Sequence, residues 1–305
     1  MKNHYKIGTR KSELALKQAH SVGELIQSKG GTYEIIKINS EGDLDLKTPL
    51  HQIGYTGVFT KALDIALMEN MIDIAVHSLK DVPTILPEKI KQIAVLKRDN
   101  PLDILLLKNA EINFDQELTI ATGSIRRKAQ WLYKYPNHKI VGLRGNVNTR
   151  IQKLQENSWN GAIFSHSGLD RINLIPKNHI QLDWMISAPA QGIISIVALK
   201  KNKEMENFMQ QFNHKETEIA SSIERDFLNE LEGGCSAPIG ALAKIKNNMV
   251  YFTGSLTSPN GENHLEIKRE ISLDKITNFG RVCAQEILKN GGKEIMLNIK
   301  NNAQN

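Results

Sequence analysis

The sequence has little cysteine and no long apolar run. Only Cys235 and Cys283 occur among the 305 residues, so a disulfide framework is implausible and a reducing compartment is the natural one. No stretch approaches the roughly 20 consecutive apolar residues of a membrane span, and the first residues, Met1 to Ile7, lack the apolar core of a signal peptide. These absences predict a cytoplasmic protein that is not embedded in a membrane.

The charge balance is only mildly positive. Lys and Arg number 39 against 33 Asp and Glu, which gives a formal net charge of +6. A nucleic-acid binder stays open as an alternative, although no recognised module accompanies the dispersed lysines. No His and Cys cluster has metal-ligand spacing, and neither a Walker loop nor a dinucleotide fingerprint is present. The sequence therefore predicts no metal site and no nucleic-acid partner.

Strand-like and helix-like segments alternate through the first two thirds of the chain. The segment 12–29, for example, follows a strand pattern at 5–9 and places Ala15, Ala19, Val22 and Ile26 on one helical face. This rhythm predicts mostly parallel sheets with helices on both faces. A second set of strands begins near residue 100, and the apolar run 193–199 is expected to return to the first sheet.

The pattern changes after Lys200. A helix predicted over 216–230 precedes three strand-like runs, a hairpin turn at 259–261 and a last helix over 276–289. We therefore expect three domains, of which the last is α+β.

Two glycine-containing turns join a strand to a helix and carry both a hydroxyl and an arginine. They are Gly8-Thr9-Arg10-Lys11-Ser12 and Ala121-Thr122-Gly123-Ser124-Ile125-Arg126-Arg127. Backbone amides at a helix start bind anions, so the pair indicates a carboxylate or phosphate ligand. Ser12 is also explained as a simple N-cap. Further loop arginines, Arg144, Arg150 and Arg171, suit a polyanion, with surface ion pairing as the alternative for each one.

Two other segments carry candidate chemistry. Asp81 follows a buried strand and is stiffened by Pro83, although an ordinary loop aspartate is its default interpretation. Cys235 lies in Leu231-Glu232-Gly233-Gly234-Cys235, where two glycines allow close approach of the backbone to another group. A small buried side chain is the alternative for an isolated cysteine.

Together these segments resemble the hydroxymethylbilane synthase, or porphobilinogen deaminase, family over nearly the whole chain. The motifs that carry the resemblance occur in the family's order: Gly8-Thr9-Arg10 with Ser12, Phe59-Thr60-Lys61-Ala62-Leu63, Asp73 to Pro83, Leu143 to Arg150, and Leu231 to Cys235 with Pro238-Ile239-Gly240.

The resemblance implies an α/β fold of two type II periplasmic-binding-protein-like domains and a smaller C-terminal α+β domain. The expected domains are 1–97 with 193–212, then 98–192, then 213–305. It also implies a monomeric transferase of tetrapyrrole (haem) biosynthesis. Such an enzyme joins four porphobilinogen molecules head to tail onto a dipyrromethane primer, releasing ammonia at each step, and then hydrolyses off the linear product hydroxymethylbilane.

Individual residues receive roles from the same resemblance. Asp81 would be catalytic, because a fixed carboxylate stabilises the cationic methylene-pyrrolenine left when ammonia departs. Cys235 would carry the dipyrromethane cofactor through a thioether. The other implied cofactor contacts are Ser78, Lys80, Asp81, Ser124, Arg126, Arg127 and Arg144. The implied substrate contacts are Arg10, Ser12, Phe59, Thr122, Arg144, Arg150, Arg171 and Gln191.

Several positions depart from the family pattern. Gly123 replaces a serine, Glu41 an arginine and Ala190 a glycine, while Asp170 stands where a basic residue is common and Asn100-Pro101-Leu102-Asp103-Ile104 replaces Asp-Pro-Arg-Asp-Ala. We expect activity, with its efficiency open to these changes. A non-catalytic anion-binding protein of the periplasmic type remains the alternative, although it would have no use for Cys235.

Overall fold

The computed structural model describes residues 3–39, 60–109, 111–231 and 237–304. The strands in these ranges are β1 (His4–Arg10), β2 (Thr32–Ile38), β3 (Ile74–Ser78), β4 (Ile90–Val95), β5 (Asp103–Leu107), β6 (Thr119–Ala121), β7 (Lys139–Val141), β8 (Gly161–Ser165), β9 (His179–Gln181), β10 (Ile194–Leu199), β11 (Ile239–Lys246), β12 (Met249–Thr257) and β13 (His264–Ser272). The helices are α1 (Glu13–Gln27), α2 (Lys61–Met68), α3 (Ile125–Lys134), α4 (Val147–Glu156), α5 (His166–Asp170), α6 (Lys203–Gln210), α7 (Lys215–Glu230), α8 (Phe279–Ile287) and α9 (Lys293–Gln304).

The first lobe is built on a sheet with the strand order β2-β1-β3-β10-β4. β1 pairs in parallel with β2 and β3, whereas β10 is antiparallel to β3 and β4. The apolar run 193–199 thus returns to this sheet, as predicted. Ala19, Val22 and Ile26 of α1 pack with Ile7 and Ile74 to form the core beneath it.

The second lobe repeats this arrangement with the order β7-β6-β8-β5-β9. β6 is parallel to β7 and β8, and β5 is antiparallel to β8 and β9. Both sheets are therefore mostly parallel, as predicted, but each contains one opposing strand that the sequence pattern did not indicate. In each sheet the opposing strand is the first one after the chain has crossed from the other lobe. The first crossing connects β4 to β5, and the return crossing connects β9 to β10.

The third unit has the antiparallel order β11-β12-β13, covered by α7 and α8. Phe227 of α7 and Phe252 of β12 meet edge to face in its core, with ring centroids 5.2 Å apart. The predicted hairpin turn is present, and Gly261 there has a φ of +83° that suits glycine. The α+β prediction for this unit is confirmed.

The prediction that the helix over 276–289 closes the chain is wrong, because a further helix follows it. α8 ends at Ile287, a π-turn spans Leu288–Gly292, and α9 continues to Gln304. Asn290 and Gly291, the latter with a φ of +103°, are non-helical and form a kink that separates α8 from α9.

The two crossings between the lobes lie against each other. The Asp99 amide donates to the Gly192 carbonyl at 3.0 Å, and a side chain at Gly192 would approach the Asp99 carbonyl oxygen to 2.9 Å. The third unit is attached at the same place, because the Ala241 amide of β11 donates to the Ser187 carbonyl at 2.9 Å. This junction therefore holds together the segment between β4 and β5, the segment before β10 and the first strand of the third unit.

Candidate active site

Ser12 marks the first lobe's helix start. Arg10 is the last residue of β1, and Ser12 caps α1 by accepting a hydrogen bond from the Ala15 amide at 3.3 Å. The simple N-cap interpretation of Ser12 is therefore correct for its oxygen, while its hydroxyl hydrogen stays able to donate to an anion.

The second lobe has the corresponding turn between β6 and α3. Ser124 caps α3 by accepting from the Arg127 amide at 3.4 Å, and Thr122 Oγ1 accepts from the Ser124 amide at 3.2 Å. Both hydroxyls are thereby oriented by backbone donors, and each keeps its proton for a further acceptor.

Arg126 and Arg127 form a buried ionic cluster with Asp103, the first residue of β5. Arg126 Nη2 donates to Asp103 Oδ2 at 2.7 Å, and Arg127 donates through Nε and Nη2 to Oδ1 at 3.1 and 2.7 Å. Burial opposes ionisation of Asp103, but the two guanidinium groups hold its pKa well below the ordinary value. The sequence context of Asp103 did not lead to a predicted role. A carboxylate at the head of the otherwise apolar Asp-Ile-Leu-Leu-Leu strand was the available signal.

Gln191 connects this cluster to Lys80 of the first lobe. Its amide nitrogen donates to the Pro101 carbonyl at 2.7 Å and to Asp103 Oδ1 at 2.9 Å, which leaves Oε1 to accept from Lys80 Nζ at 3.3 Å. Only 1 % of Gln191 is exposed. Burial lowers the pKa of Lys80 to about 8, although Asp81 beside it acts in the opposite direction.

Asp81 ends a 3-10 turn (Leu79–Asp81) that directly follows β3, and it is exposed. The Leu79 amide donates to the Ile193 carbonyl at 2.9 Å, and the Val82 amide closes the turn on the Leu79 carbonyl at 3.1 Å. Ser78, just before the turn, is half-buried and hydrogen-bonds the side-chain amide of Gln18 at 2.9 Å. The turn is thus anchored at its start by the neighbouring strand and by α1.

Arg150 shows that charges from both lobes meet in one place. Burial, and after it Arg127, Arg144 and Arg10, lower its pKa to about 10, while Asp81 opposes them. Its Nε donates to the Gly145 carbonyl at 2.7 Å. Asp81 and cations from both lobes therefore share one electrostatic neighbourhood with an excess of positive charge.

Arg171 lies at the crossings between the lobes. Its Nε donates to Asp99 Oδ2 at 2.7 Å and its Nη2 to the Gly192 carbonyl at 2.8 Å. Its substrate contact stays a prediction. Cys235 and Phe59, together with the departure at Glu41, lie outside the described residues.

Comparison with known proteins decides the family. Residues 5–207 match the family model described as "Porphobilinogen deaminase, dipyromethane cofactor binding domain". Residues 219–289 match the model described as "Porphobilinogen deaminase, C-terminal domain". The chain belongs to the porphobilinogen deaminase family. Enzymes of this family are transferases of tetrapyrrole biosynthesis.

Curated relatives of this family align over nearly the whole chain. The probable porphobilinogen deaminase of Methanocaldococcus jannaschii is 40 % identical over 301 residues, covering 97 % of this chain and 99 % of its own length. The porphobilinogen deaminase of Campylobacter hominis is 37 % identical, with 96 % and 97 % covered. Among solved structures, the chain is similar to the methionine-binding protein MetQ, with 16 % identity, a TM-score of 0.44, and 73 % and 95 % covered.

The residues present fit the dipyrromethane group of this family. Each pyrrole ring of that group bears an acetate and a propionate, and the site offers Lys80 together with arginines whose charges repel one another around Arg150. In addition, the buried Nε of Arg126 has no hydrogen-bond partner among the described residues. Among all the residues that the structure describes, no helix is long and apolar enough to cross a membrane.

Proposed function

We propose that the protein is a hydroxymethylbilane synthase that works as a cytoplasmic monomer on porphobilinogen. In each condensation the aminomethyl C–N bond of one porphobilinogen breaks and ammonia leaves. The methylene carbon then bonds to a pyrrole carbon of the growing chain, which loses a proton. Water finally releases the linear tetrapyrrole. The observation that carries the proposal is the hydrogen-bonded connection, through Gln191, between Lys80 beside Asp81 and the Asp103–arginine cluster of the second lobe, in a chain of this family.

Substrate recognition rests on the carboxylates of porphobilinogen. Guanidinium groups match carboxylates with paired hydrogen bonds, and oriented hydroxyls add single ones. The substrate contacts we propose are Arg10, Ser12, Phe59, Thr122, Arg144, Arg150, Arg171 and Gln191. Because Gln191 is almost fully buried, we expect it to affect ligand binding indirectly, by accepting a hydrogen bond from Lys80 and so holding that side chain in place.

Asp81 is the proposed catalytic residue. Loss of ammonia leaves a positive charge delocalised over the pyrrole, and an exposed carboxylate on an anchored turn stabilises that charge next to the reacting carbon. The same carboxylate helps to move a proton from the pyrrole carbon that has formed the new bond. The surrounding cations hold the substrate's carboxylates, so that Asp81 meets the ring rather than its acid groups.

Cys235 is the proposed attachment point of dipyrromethane. A thiolate is strongly nucleophilic, and a thioether, unlike an ester, survives the hydrolysis that ends each cycle. When bound, the group supplies the pyrrole carbon to which the first new ring is joined. The side chains that would hold its acid groups are Ser78, Lys80, Ser124, Arg126, Arg127 and Arg144, with Asp81 facing its ring nitrogens.

Replacement of Asp81 tests this function. We expect Asp81→Ala to fold and to carry the cofactor, because the side chain is exposed, but to lose nearly all ammonia release from porphobilinogen. Ammonia release and the mass of the product, measured for the wild-type protein and the variant, decide the matter. A wild-type protein that forms no hydroxymethylbilane refutes the function, and a variant of near-normal rate removes Asp81 from the mechanism.

A further inference from the structure

Arg225 lies on α7, ten residues before Cys235, and its side chain reaches out of the third unit into the first lobe. Its Nη1 donates to the Val82 carbonyl at 2.8 Å and approaches the Leu79 carbonyl at 3.4 Å, while Nη2 donates to the Pro83 carbonyl at 2.6 Å. Both terminal nitrogens of the guanidinium are therefore used on the backbone around Asp81.

A second contact from the same helix reaches the same stretch of chain. Asn229, one turn after Arg225, accepts a hydrogen bond from Thr84 Oγ1 at 3.1 Å. The segment from Leu79 to Thr84 is thus held by α7 at two successive turns of the helix.

The turn needs such donors because of its own chemistry. A single 3-10 turn satisfies few of its carbonyl groups internally, and the carbonyls at its end lack partners within the turn. Pro83 has no amide hydrogen and cannot extend the turn into a hydrogen-bonded helix. A guanidinium, with donors in a fixed planar fork, satisfies several converging carbonyls at once and so restricts the turn to one conformation.

Burial lowers the pKa of Arg225, with Asp226 acting in the opposite direction. The side chain nevertheless ends on carbonyl groups rather than on a carboxylate. Its contacts are therefore directed at the backbone of the turn and do not form a simple ion pair between units.

We infer that Arg225 is a positioning residue for the condensation reaction, which fixes the turn carrying Lys80 and Asp81 against the helix that leads to the cofactor-bearing cysteine. The inference rests on the proposed function. A merely structural bridge would affect the stability of the protein and leave the turnover of each folded, cofactor-loaded molecule unchanged.

Three variants of the full chain test the inference. Arg225→Met removes the donors, Arg225→Lys keeps one charged donor without the fork, and Arg269→Met removes an exposed arginine that pairs with Glu286 within the third unit. Intact mass gives the loaded fraction, and ammonia release per loaded molecule gives kcat and KM. Because displacement of a catalytic group by about 1 Å lowers rates by up to about 100-fold, we expect R225M to lose about 10- to 100-fold in kcat with KM little changed. R225K should recover part of kcat, and R269M should equal the wild type.

Two outcomes would overturn the inference about Arg225. A kcat per loaded molecule within about two-fold of wild type in R225M, whatever its thermal stability, overturns the inference, since a 1 Å displacement predicts far more. If R225M does not fold, R225K takes its place, and a wild-type kcat in that variant overturns it. A wild-type protein that releases no ammonia from porphobilinogen refutes the proposed function itself, which distinguishes the two failures.

Discussion

Lys80 holds its charge in surroundings that disfavour it. Burial lowers its pKa to about 8, Asp81 and Asp103 raise it, and Arg127 and Arg126 lower it. An ammonium group with this pKa is charged at neutral pH and loses its proton in mildly alkaline solution. Its attraction for the carboxylates of a ligand is therefore sensitive to pH.

Assembly of the cofactor on the apoprotein should slow as the pH rises through about 8, the pKa of Lys80. The sign follows because deprotonation of Lys80 removes a positive charge that would hold a carboxylate. The initial rate of mass gain with porphobilinogen, measured at several pH values, gives the profile. Lys80→Arg is the control, since arginine stays charged throughout, and its profile should be flatter. Equal slowing in both proteins would assign the pH dependence to another group.

Among single residues, the sequence predicted the positions of those whose contacts are with neighbours in the chain. Ser12 and Ser124 lie at helix starts, and the strand-to-helix pattern predicted both places. Asp103 was missed, because its partners lie far along the chain. Nothing near Asp103 in sequence indicates that it receives two arginines and a glutamine.

Among the elements, the turn between β6 and α3 carries a departure from the family pattern. A side chain at Gly123 would place its Cβ 2.4 Å from the Leu143 carbonyl oxygen, which is closer than real contacts allow. The two backbone segments approach each other here more closely than a side chain at position 123 allows. A serine at this position requires one of them to move.

Gly123→Ser should consequently lower the free energy of unfolding by about 1–3 kcal/mol, as overpacking of a tight contact does. Gly142→Ser is the matched control, because nothing lies within 4 Å of a side chain at that exposed glycine. Chemical denaturation of both variants measures the difference. Unchanged stability in G123S would show that the turn relaxes readily, and that its glycine is not required by the contact with Leu143.

The elements themselves were predictable to the extent that each was locally periodic. The α1 face of Ala15, Ala19, Val22 and Ile26 is buried as predicted. The direction of β5 and β10 was not predictable, because it depends on how the chain re-enters a sheet after crossing between lobes. The continuation into α9 was missed because its start directly follows two glycines.

For the whole molecule, one buried carboxylate joins the crossings to the third unit. Glu224 of α7 is fully buried and accepts from Arg98 Nη1 and Nη2 at 2.7 and 2.5 Å. It also accepts from the amides of Ala190, on the return crossing, and Ala243, on β11, each at 2.7 Å. The segments that set the relative positions of the lobes and the third unit therefore share a single charged group.

Glu224→Gln should destabilise the protein by about 3–5 kcal/mol, the usual effect of breaking a buried ion pair by removing one partner. The substitution leaves the Arg98 charge without its counterion and directs an amide donor at a backbone donor. Glu286→Gln is the control, since its pair with Arg269 is partly exposed and contributes at most about 1 kcal/mol. Urea unfolding of the two variants compares them, and equal small effects would contradict a central role for Glu224.

The central claim is that this chain carries dipyrromethane on Cys235 and builds a tetrapyrrole on it. The most direct measurement is the intact mass of the purified, denatured protein beside its Cys235→Ser variant, before and after incubation with porphobilinogen. The account predicts a mass excess of two linked pyrrole units on the wild-type protein, and a bare polypeptide for the variant under both conditions. A wild-type protein that stays bare after incubation, or a variant that gains the same mass, would contradict it.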